Sequence, residues 1–285
     1  MFSLAFGVGT KNSYGDWLEV YYPKPLIKPD HSLVSIVSNI AGYSQGNQVI
    51  ELKKQVIKKL SKIAEMEYLE VLSESVRPIV VTLLEKDSGP KTVPEAYLKL
   101  HLLSHRLVQP NSLNLEGLFG ILPNVAWTNV GAVDPEELDL VQLNARISGR
   151  VVEVASVDKF PKMSNYVVPS GVRIAHSARV RLGAYLGEGT TVMHEGFVNF
   201  NAGALGPNMI EGRISQGVTI GSGTDIGGSA STAGTLSGGG NTLITIGQEC
   251  LISANAGTGI PLGDRCTIEA GLYITPGTLV QVMDE

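Results

Sequence analysis

Hydrophobic positions along the chain follow two different rhythms. From residue 174 onward, branched aliphatics recur every six residues: Ile174, Val180, Leu186, Val192 and Val198. The register shifts and resumes at Ile214, Ile220 and Ile226, shifts again to Ile246 and Ile252, and closes as Leu262, Ile268, Ile274 and Val280. Four residues after most of these stands a small or compact residue. The set includes Ala178, Ala184, Thr190, Gly196, Ala202, Val218, Thr224, Ala230, Cys250, Ala256, Cys266 and Thr278, with Leu272 the larger exception. A period of six fits neither the 3.6 of a helix nor the 2 of a strand. It predicts a solenoid whose coil has three flat faces of about six residues each. The aliphatic side chain points inward, and so does the small residue where the section narrows. Glycine, Asn and Asp between them tolerate the positive φ of the turns. Residues 167–285 suffice for five or six coils of about 18 residues. Residues 199–213 and 229–245 read as breaks in the rhythm, and breaks in a solenoid map to loops.

The first half reads differently. Val49, Leu52, Val56, Leu60 and Ile63 make one helical stripe, continued by Leu69, Leu72 and Val76 until Pro78 stops it. A helical stretch over 47–76 is therefore predicted. Thr92 and Glu95 form a capping-box pattern ahead of AYLKLHLLSHRLV, residues 96–108. VVEVASV, residues 151–157, alternates like a strand. The pattern predicts an α/β domain over 1–150, a link over 151–166, and a parallel β-helix over 167–285.

Composition sharpens this division. Residues 1–166 hold 10 glycines and residues 167–285 hold 23, which supplies the turns of the second half. The glycines lack the three-residue period of collagen, and the continuing aliphatics exclude a disordered linker. A net charge of −5 without a basic block argues against a nucleic-acid partner. No apolar run approaches a membrane span, and the first residues carry no secretory pattern. Two cysteines, Cys250 and Cys266, make no disulfide framework, so a reduced, cytoplasmic setting is the default expectation.

Few residues can do chemistry. No Walker A motif or dinucleotide fingerprint is present, the GGG of residues 236–241 reads as a turn, and no nucleophile elbow fits the spacing around Gly212–Gly217. His101 and His105 stand four apart without an HExxH context, so a satisfied buried pair is favoured over a metal site. His176 and His194 stand 18 apart, one coil on, but the repeat offers no third histidine for zinc. Glu195 in MHEGFVNF and Glu211 in MIEGRIS are each flanked by apolar residues and followed by glycine. Both are expected to be partly buried, and a desolvated carboxylate can serve as acid, base or nucleophile. The competing reading is a solvated turn residue. Both cysteines occupy the narrow inward position, which favours a structural role. Arg173, Arg179, Arg181, Arg213 and Arg265 lie in the repeat, and Arg213 beside Glu211 is best placed to meet an anionic ligand.

Several longer strings carry a family resemblance. AYLKLHLLSHRLV (96–108), LPNVAWTN (122–129), SVDKFPKM (156–163), YVVPSGVRIA (166–175), RVRLGAYLGEGTTVMHEGFVNFNAG (179–203), GTLSGGGN (234–241) and GIPLGDRCTIEAGLYIT (259–275) resemble the tetrahydrodipicolinate N-succinyltransferases, in their longer, actinobacterial and pseudomonad-like branch. The resemblance implies a homotrimer of left-handed β-helices that moves succinyl from succinyl-CoA to tetrahydrodipicolinate in diaminopimelate and lysine biosynthesis. It places the catalytic carboxylate on Glu211, with an acyl-anhydride role in the family and general base as the physical competitor. It places succinyl-CoA contacts on Arg213, Gly228, Ser231, Ala254, Glu269, Ala270 and Gly277. It implies a structural magnesium on the trimer axis with Glu195 as one ligand, while the second ligand position is Ala178 in this chain. Family members continue past the repeat with a basic stretch, whereas this sequence ends in LVQVMDE at Glu285. The expectation is that this segment is absent, that an open β edge is left, and that succinyl-CoA binds more weakly than in a longer relative. Two other readings stand beside this one: another hexapeptide acyl-CoA acyltransferase, and a non-catalytic trimeric scaffold.

Overall fold

The computed structural model describes residues 1–234 and 243–283. They form two compact units, Met1–Leu102 with Leu113–Pro161, and Leu103–Ser112 with Lys162–Glu285.

The first unit begins with β1 (Ser3–Lys11), β2 (Trp17–Tyr21), β3 (Leu26–Ile27), α1 (His31–Ala41), β4 (Gln48–Leu52), α2 (Lys54–Ile63), α3 (Glu67–Ser73), β5 (Ile79–Leu84) and α4 (Val93–Ser104). It continues with α5 (Leu118–Ile121), β6 (Val125–Thr128), β7 (Gly131–Val133), α6 (Leu138–Ile147) and β8 (Val154–Asp158). The main sheet runs β2-β1-β5-β4, with β3 also on β1, and every pairing is antiparallel. β5, IVVTLL, is buried at all six positions, as a β-branched central strand should be.

The predicted helix over 47–76 is corrected. Its first turn is β4, paired from Gln48↔Leu83 to Leu52↔Ile79. Val49 and Leu52 match a helical spacing by coincidence, and β-branched Val49 and Ile50 beside an unpaired edge of β5 take the strand. The remainder is two helices broken at Glu65, whose φ is +52°. Leu52, Ile57, Leu60 and Leu69 share a core with Leu4, Phe6, Val37, Val81 and Leu83. Val76 is 97% exposed and takes no part in it.

The capping box is present: Thr92 N–H donates to Glu95 Oε2 at 3.0 Å and Glu95 N–H to Thr92 Oγ1 at 3.4 Å. α4 stops at Ser104, short of the predicted residue 108. Buried His101 accepts the Tyr22 N–H at Nε2 (3.2 Å), so Nδ1 carries the proton given to Tyr97 O (2.7 Å). It is a satisfied core histidine. A small sheet, β7-β6-β8, completes the unit.

The second unit is a parallel β-solenoid of two-residue strands. In chain order they are β9 (Arg173–Ile174), β10 (Tyr185–Leu186), β11 (Thr191–Val192), β12 (Phe197–Val198), β13 (Gly203–Ala204), β14 (Met209–Ile210), β15 (Arg213–Ile214) and β16 (Thr219–Ile220). Then come β17 (Asp225–Ile226), β18 (Ser231–Thr232), β19 (Thr245–Ile246), β20 (Leu251–Ile252), β21 (Gly257–Thr258), β22 (Thr267–Ile268) and β23 (Tyr273–Ile274). They stack into three sheets: β9, β11, β14, β17, β20 and β22 form the first face, β12, β15, β18, β21 and β23 the second, and β10, β13, β16 and β19 the third. The second residue of each pair points inward, and Leu186, Val192, Val198, Ile210, Ile214, Ile220, Ile226 and Ile252 are wholly buried.

Two expectations about the breaks change. Residues 199–213 do not interrupt the coil, because Ala204 and Ile210 hold the rhythm in β13 and β14. Ala204 hid it by being small. What is missing is two residues between Ile210 and Ile214. Real extra sequence lies between Thr232 and Ile246, of which residues 235–242 fall outside the described set. Val280 is 70% exposed and does not enter the stack.

One interior column is polar: Thr190, Asn208, Thr224, Cys250 and Cys266. Thr224 Oγ1 donates to Gly247 O (2.7 Å) and accepts the Cys250 N–H (2.9 Å). One coil on, Cys250 Sγ repeats this with Gly263 O (3.1 Å) and the Cys266 N–H (3.3 Å). Thr224 and Cys250 thus each satisfy two main-chain groups of the next coil, a bond pair that the Thr190 hydroxyl does not make. Residues 103–112 strap across the solenoid, with Ser104 Oγ donating to Ala184 O (3.1 Å) and Asn111 pairing with Asn201 and Gly217 O.

Candidate functional site

The edge where the first face turns into the second carries most of the candidate residues. In-register stacking sets successive coils about 4.8 Å apart, so residues at equivalent corners line up along this edge. Its corners are Met193–Gly196, Glu211–Gly212, Gly227–Ala230, Ser253–Ala256 and Glu269–Leu272. Glu195, Glu211, Gly228, Ala254, Glu269 and Ala270 all lie in them. Arg213 and Ser231 open the adjoining strands β15 and β18 and are register partners. Gly277 lies beyond β23, on the following corner, and is not brought to this edge.

Glu211 is half-buried, as expected, but Glu195 is exposed. The reason is corner length. Glu195 is third in a four-residue corner that projects outward, whereas Glu211 is first in a two-residue corner drawn close to the stack. Both Glu211 N–H and Gly212 N–H converge on Ile226 O, at 2.8 and 3.1 Å. The Glu211 carboxylate has no hydrogen-bond or ionic partner among the described residues. Its Oε2 faces Gly228, where an added Cβ would stand 3.7 Å away. Gly212 is glycine of necessity, since a Cβ there would lie 2.4 Å from Ala230 O.

Positive charge is graded along the second face. Arg179 donates to Glu195 O (2.8 Å) and, with Arg181, lies over the Phe197 ring at 5.9 Å. Arg213 is exposed, its Nε 3.4 Å from Ser231 Oγ, and it has no carboxylate partner among the described residues. Its charge is available to an anion. Gly228, Ala254 and Ala270, each second in its corner, form a low track along the edge.

The metal expectation is not met by one chain. Glu195 is a lone exposed carboxylate, Ala178 offers no side-chain oxygen ligand, and no group of three or more His, Cys, Asp or Glu suited to a metal occurs among the described residues. His176 and His194 are exposed and one coil apart, with no third ligand. Residues 236–241, whose GGG is expected to turn, lie outside the described residues. Sequence reasoning missed the shortened corner and the main chain above it. The signal was the four-residue step from Ile210 to Ile214.

A three-faced parallel solenoid with a carboxylate on a small-residue edge defines the hexapeptide-repeat class of transferase folds, and residues 243–276 match the hexapeptide repeat of succinyl-transferase. Residues 39–120 and 122–162 match the N-terminal and middle parts of tetrahydrodipicolinate N-succinyltransferase. A protein of Pseudomonas paraeruginosa named 2,3,4,5-tetrahydropyridine-2,6-dicarboxylate N-succinyltransferase is 61% identical over all of this chain and 85% of its own length. One of the same name from Vibrio cholerae is 50% identical with the same coverage. A solved Campylobacter jejuni structure, described as a 2,3,4,5-tetrahydropyridine-2-carboxylate N-succinyltransferase, superimposes with a TM-score of 0.89 at 32% identity, over 97% of this chain and 79% of that one. The chain belongs to the tetrahydrodipicolinate N-succinyltransferase family.

Proposed function

We propose that this chain is an acyltransferase that moves succinyl from succinyl-CoA to the nitrogen of tetrahydrodipicolinate, in diaminopimelate and lysine biosynthesis. The observation that carries the reading is the unpaired, half-buried Glu211 carboxylate on the edge beside Gly228. Relatives bearing that enzyme's name at 50–61% identity support it over another acyl transfer or a scaffold.

In this reading Glu211 meets the reacting centre. The attacking nitrogen must lose a proton as it bonds to the thioester carbon, and a carboxylate can take it. If Glu211 itself attacked, a glutamyl anhydride would form, which hydroxylamine converts to a hydroxamate. Arg213 and Ser231 present a cation and a hydroxyl to the carboxylates or phosphates of the ligands. Gly228, Ala254 and Ala270 give the extended pantetheine arm close access to main chain, with Glu269 at the same corner and Gly277 around the next.

A solenoid with flat sides suits assembly as a homotrimer, which would place the edge of one chain against a neighbour. A structural magnesium at Glu195 would require three chains to contribute one carboxylate each, so no step of the reaction is routed through it. No helix among the described residues is long and apolar enough to cross a membrane, and the use of succinyl-CoA suits a cytoplasmic site. The test is free-thiol release from succinyl-CoA with tetrahydrodipicolinate, with acetyl-CoA in parallel. Release with succinyl-CoA alone, lost in Glu211→Gln while sedimentation still shows a trimer, is the expected result. Turnover by Glu211→Gln would overturn the assignment of Glu211, and a monomer would overturn the assembly.

A further inference from the structure

The corners of this edge share a turn-closing hydrogen bond, and two of them also share a bond along the stack. In each four-residue corner the fourth N–H closes a turn onto the first carbonyl: Gly196 to Met193 O, Ala230 to Gly227 O, Ala256 to Ser253 O and Leu272 to Glu269 O, at 3.0–3.2 Å. In the two corners farthest along the stack the third N–H also reaches the corner below, whereas Glu195, third in Met193–Gly196 and without a left-handed φ, makes no such bond. Asn255 N–H reaches Gly228 O at 2.9 Å, and Gly271 N–H reaches Ala254 O at 3.1 Å. Ser229 is third in its corner and shares their left-handed backbone, with φ +60° against +56° for Asn255 and +76° for Gly271. Its N–H therefore points the same way. The corner below it is the shortened one, Glu211–Gly212. The Gly212 carbonyl there accepts the Phe197 N–H (2.9 Å), and nothing among the described residues accepts the Ser229 N–H.

The two-residue contraction thus does two things at one spot. It sets a two-residue corner between the four-residue corners Met193–Gly196 and Gly227–Ala230. It also strips the Ser229 N–H of its carbonyl while setting the Glu211 carboxylate against Gly228, whose own carbonyl carbon belongs to the same peptide as that N–H. The main-chain donor of exposed Ser229 and the Glu211 carboxylate, both without a partner among the described residues, thus stand on successive corners of one edge.

We propose that the Ser229 main-chain N–H is a catalytic hydrogen-bond donor to the thioester carbonyl oxygen, working opposite Glu211. The proposal rests on the acyltransfer reading and adds a residue to it. As the substrate nitrogen bonds to the thioester carbon, the carbonyl π pair moves onto oxygen. The Ser229 N–H stabilises that oxyanion, and Glu211 takes the proton leaving the nitrogen. Collapse re-forms the C=O bond, breaks the C–S bond and expels the CoA thiolate, which recovers the proton. If Glu211 attacks first, the same oxygen carries the same charge, so the donor serves either route. A fixed donor aimed where charge develops raises kcat rather than ground-state affinity. The serine hydroxyl has no part, and Gly212 is the positioning residue, because only glycine fits beneath Ala230 O and keeps the corner short.

The test removes the N–H and leaves the side chain. Incorporating the α-hydroxy analogue of serine at position 229 turns that peptide into an ester. The expected result is a fall in kcat of about 100-fold or more, as for loss of one oxyanion donor, with KM for succinyl-CoA within about threefold. The same ester exchange at Asn255, whose N–H is already bound to Gly228 O, should stay within about threefold of the parent in kcat. An ester at position 229 with unchanged kcat overturns the proposal, and so does an equal loss from the ester at position 255. If the ester chain does not fold, inserting Ala-Asn between Glu211 and Gly212 gives this corner the length of Ser253–Ala256 and returns a carbonyl beneath Ser229. That variant should keep its far-ultraviolet circular dichroism and lose kcat, and full activity in it overturns the proposal. Glu211→Gln, assayed alongside, separates the two ideas: if it is inactive while the ester is fully active, the donor fails and the reading of Glu211 stands.

Discussion

The two units treat buried polarity in opposite ways. The first buries whole charged or titratable side chains, Lys99, Tyr22 and His101 among them, and gives these their own partners. Lys99 is wholly buried against Asp87 and Asn114 O, and burial pushes the Tyr22 phenol far above its ordinary range. Among the described residues the solenoid interior holds no charge, and at Thr224 and Cys250 it repeats one small device, a hydroxyl or thiol bridging to the next coil. A substitution in the first unit is therefore a local event. In the solenoid the same substitution has a different cost in each coil, depending on what is stacked above it.

The sharpest way to break that contrast uses glycines at one equivalent position. Gly187 and Gly263 each open the corner from the third face to the first. A Cβ at Gly187 would lie 2.0 Å from Leu205 O, while at Gly263 nothing lies within 4 Å. Gly187→Ala should destabilise by about 3 kcal/mol, at the upper end of overpacking costs, because backbone of the next coil must move. Gly263→Ala should fall within about 0.5 kcal/mol of the parent. Urea titration measures both, and equal midpoints would show that stacking does not set the cost.

Lys99 tests the other side. Lys99→Ala removes one partner of a pair whose Asp87 side chain keeps 24% exposure. It should cost about 2–3 kcal/mol, below the range for fully buried pairs because water reaches the orphaned carboxylate. Lys99→Met, which keeps the stem, should recover part of that loss. A neutral Lys99→Ala would mean that the pair contributes nothing beyond solvated charge.

These differences explain what could be read in advance. The inward aliphatics from Val180 to Ile268 were legible because each coil repeats one constraint, so any six-residue match is supported by the others. The capping box at Thr92 was legible because it is local. β4 was not, since Val49 and Leu52 satisfy a helix and a strand alike, and only the partner strand decides. Within the site, Glu211 stood out as a carboxylate among apolar residues. Ser229 could not, because its chemistry lies in a main-chain N–H whose freedom depends on a corner one coil below. Ala204 concealed the contraction that makes it so.

The interior column gives an intermediate effect. Cys250→Ala leaves Gly263 O and the Cys266 N–H without their buried partner and should cost about 2 kcal/mol. Cys250→Ser keeps a donor and an acceptor at shorter reach and should cost about 1 kcal/mol. A serine variant less stable than the alanine would show that the sulfur serves as packing alone.

The smallest effect belongs to pH at the surface of the first unit. Glu85 accepts hydrogen bonds from Gly46 N–H and, at 3.1 Å, from the Tyr43 hydroxyl. The Gly46 bond, ahead of the Tyr43 bond, holds its carboxyl below the ordinary value. A carboxylate whose native pKa is depressed contributes stability that is complete above the unfolded pKa and fades as pH falls through the native one. The parent should therefore lose a small increment of stability below the ordinary carboxylate range that Glu85→Gln does not lose. Comparing melting temperatures of the two at neutral pH and in the acid range measures it. The gap should be widest at neutral pH and close on acidification, because the carboxylate is fully exposed and its bonds compete with water. A gap that widened in acid would reverse the sign and place the stabilisation on the protonated form.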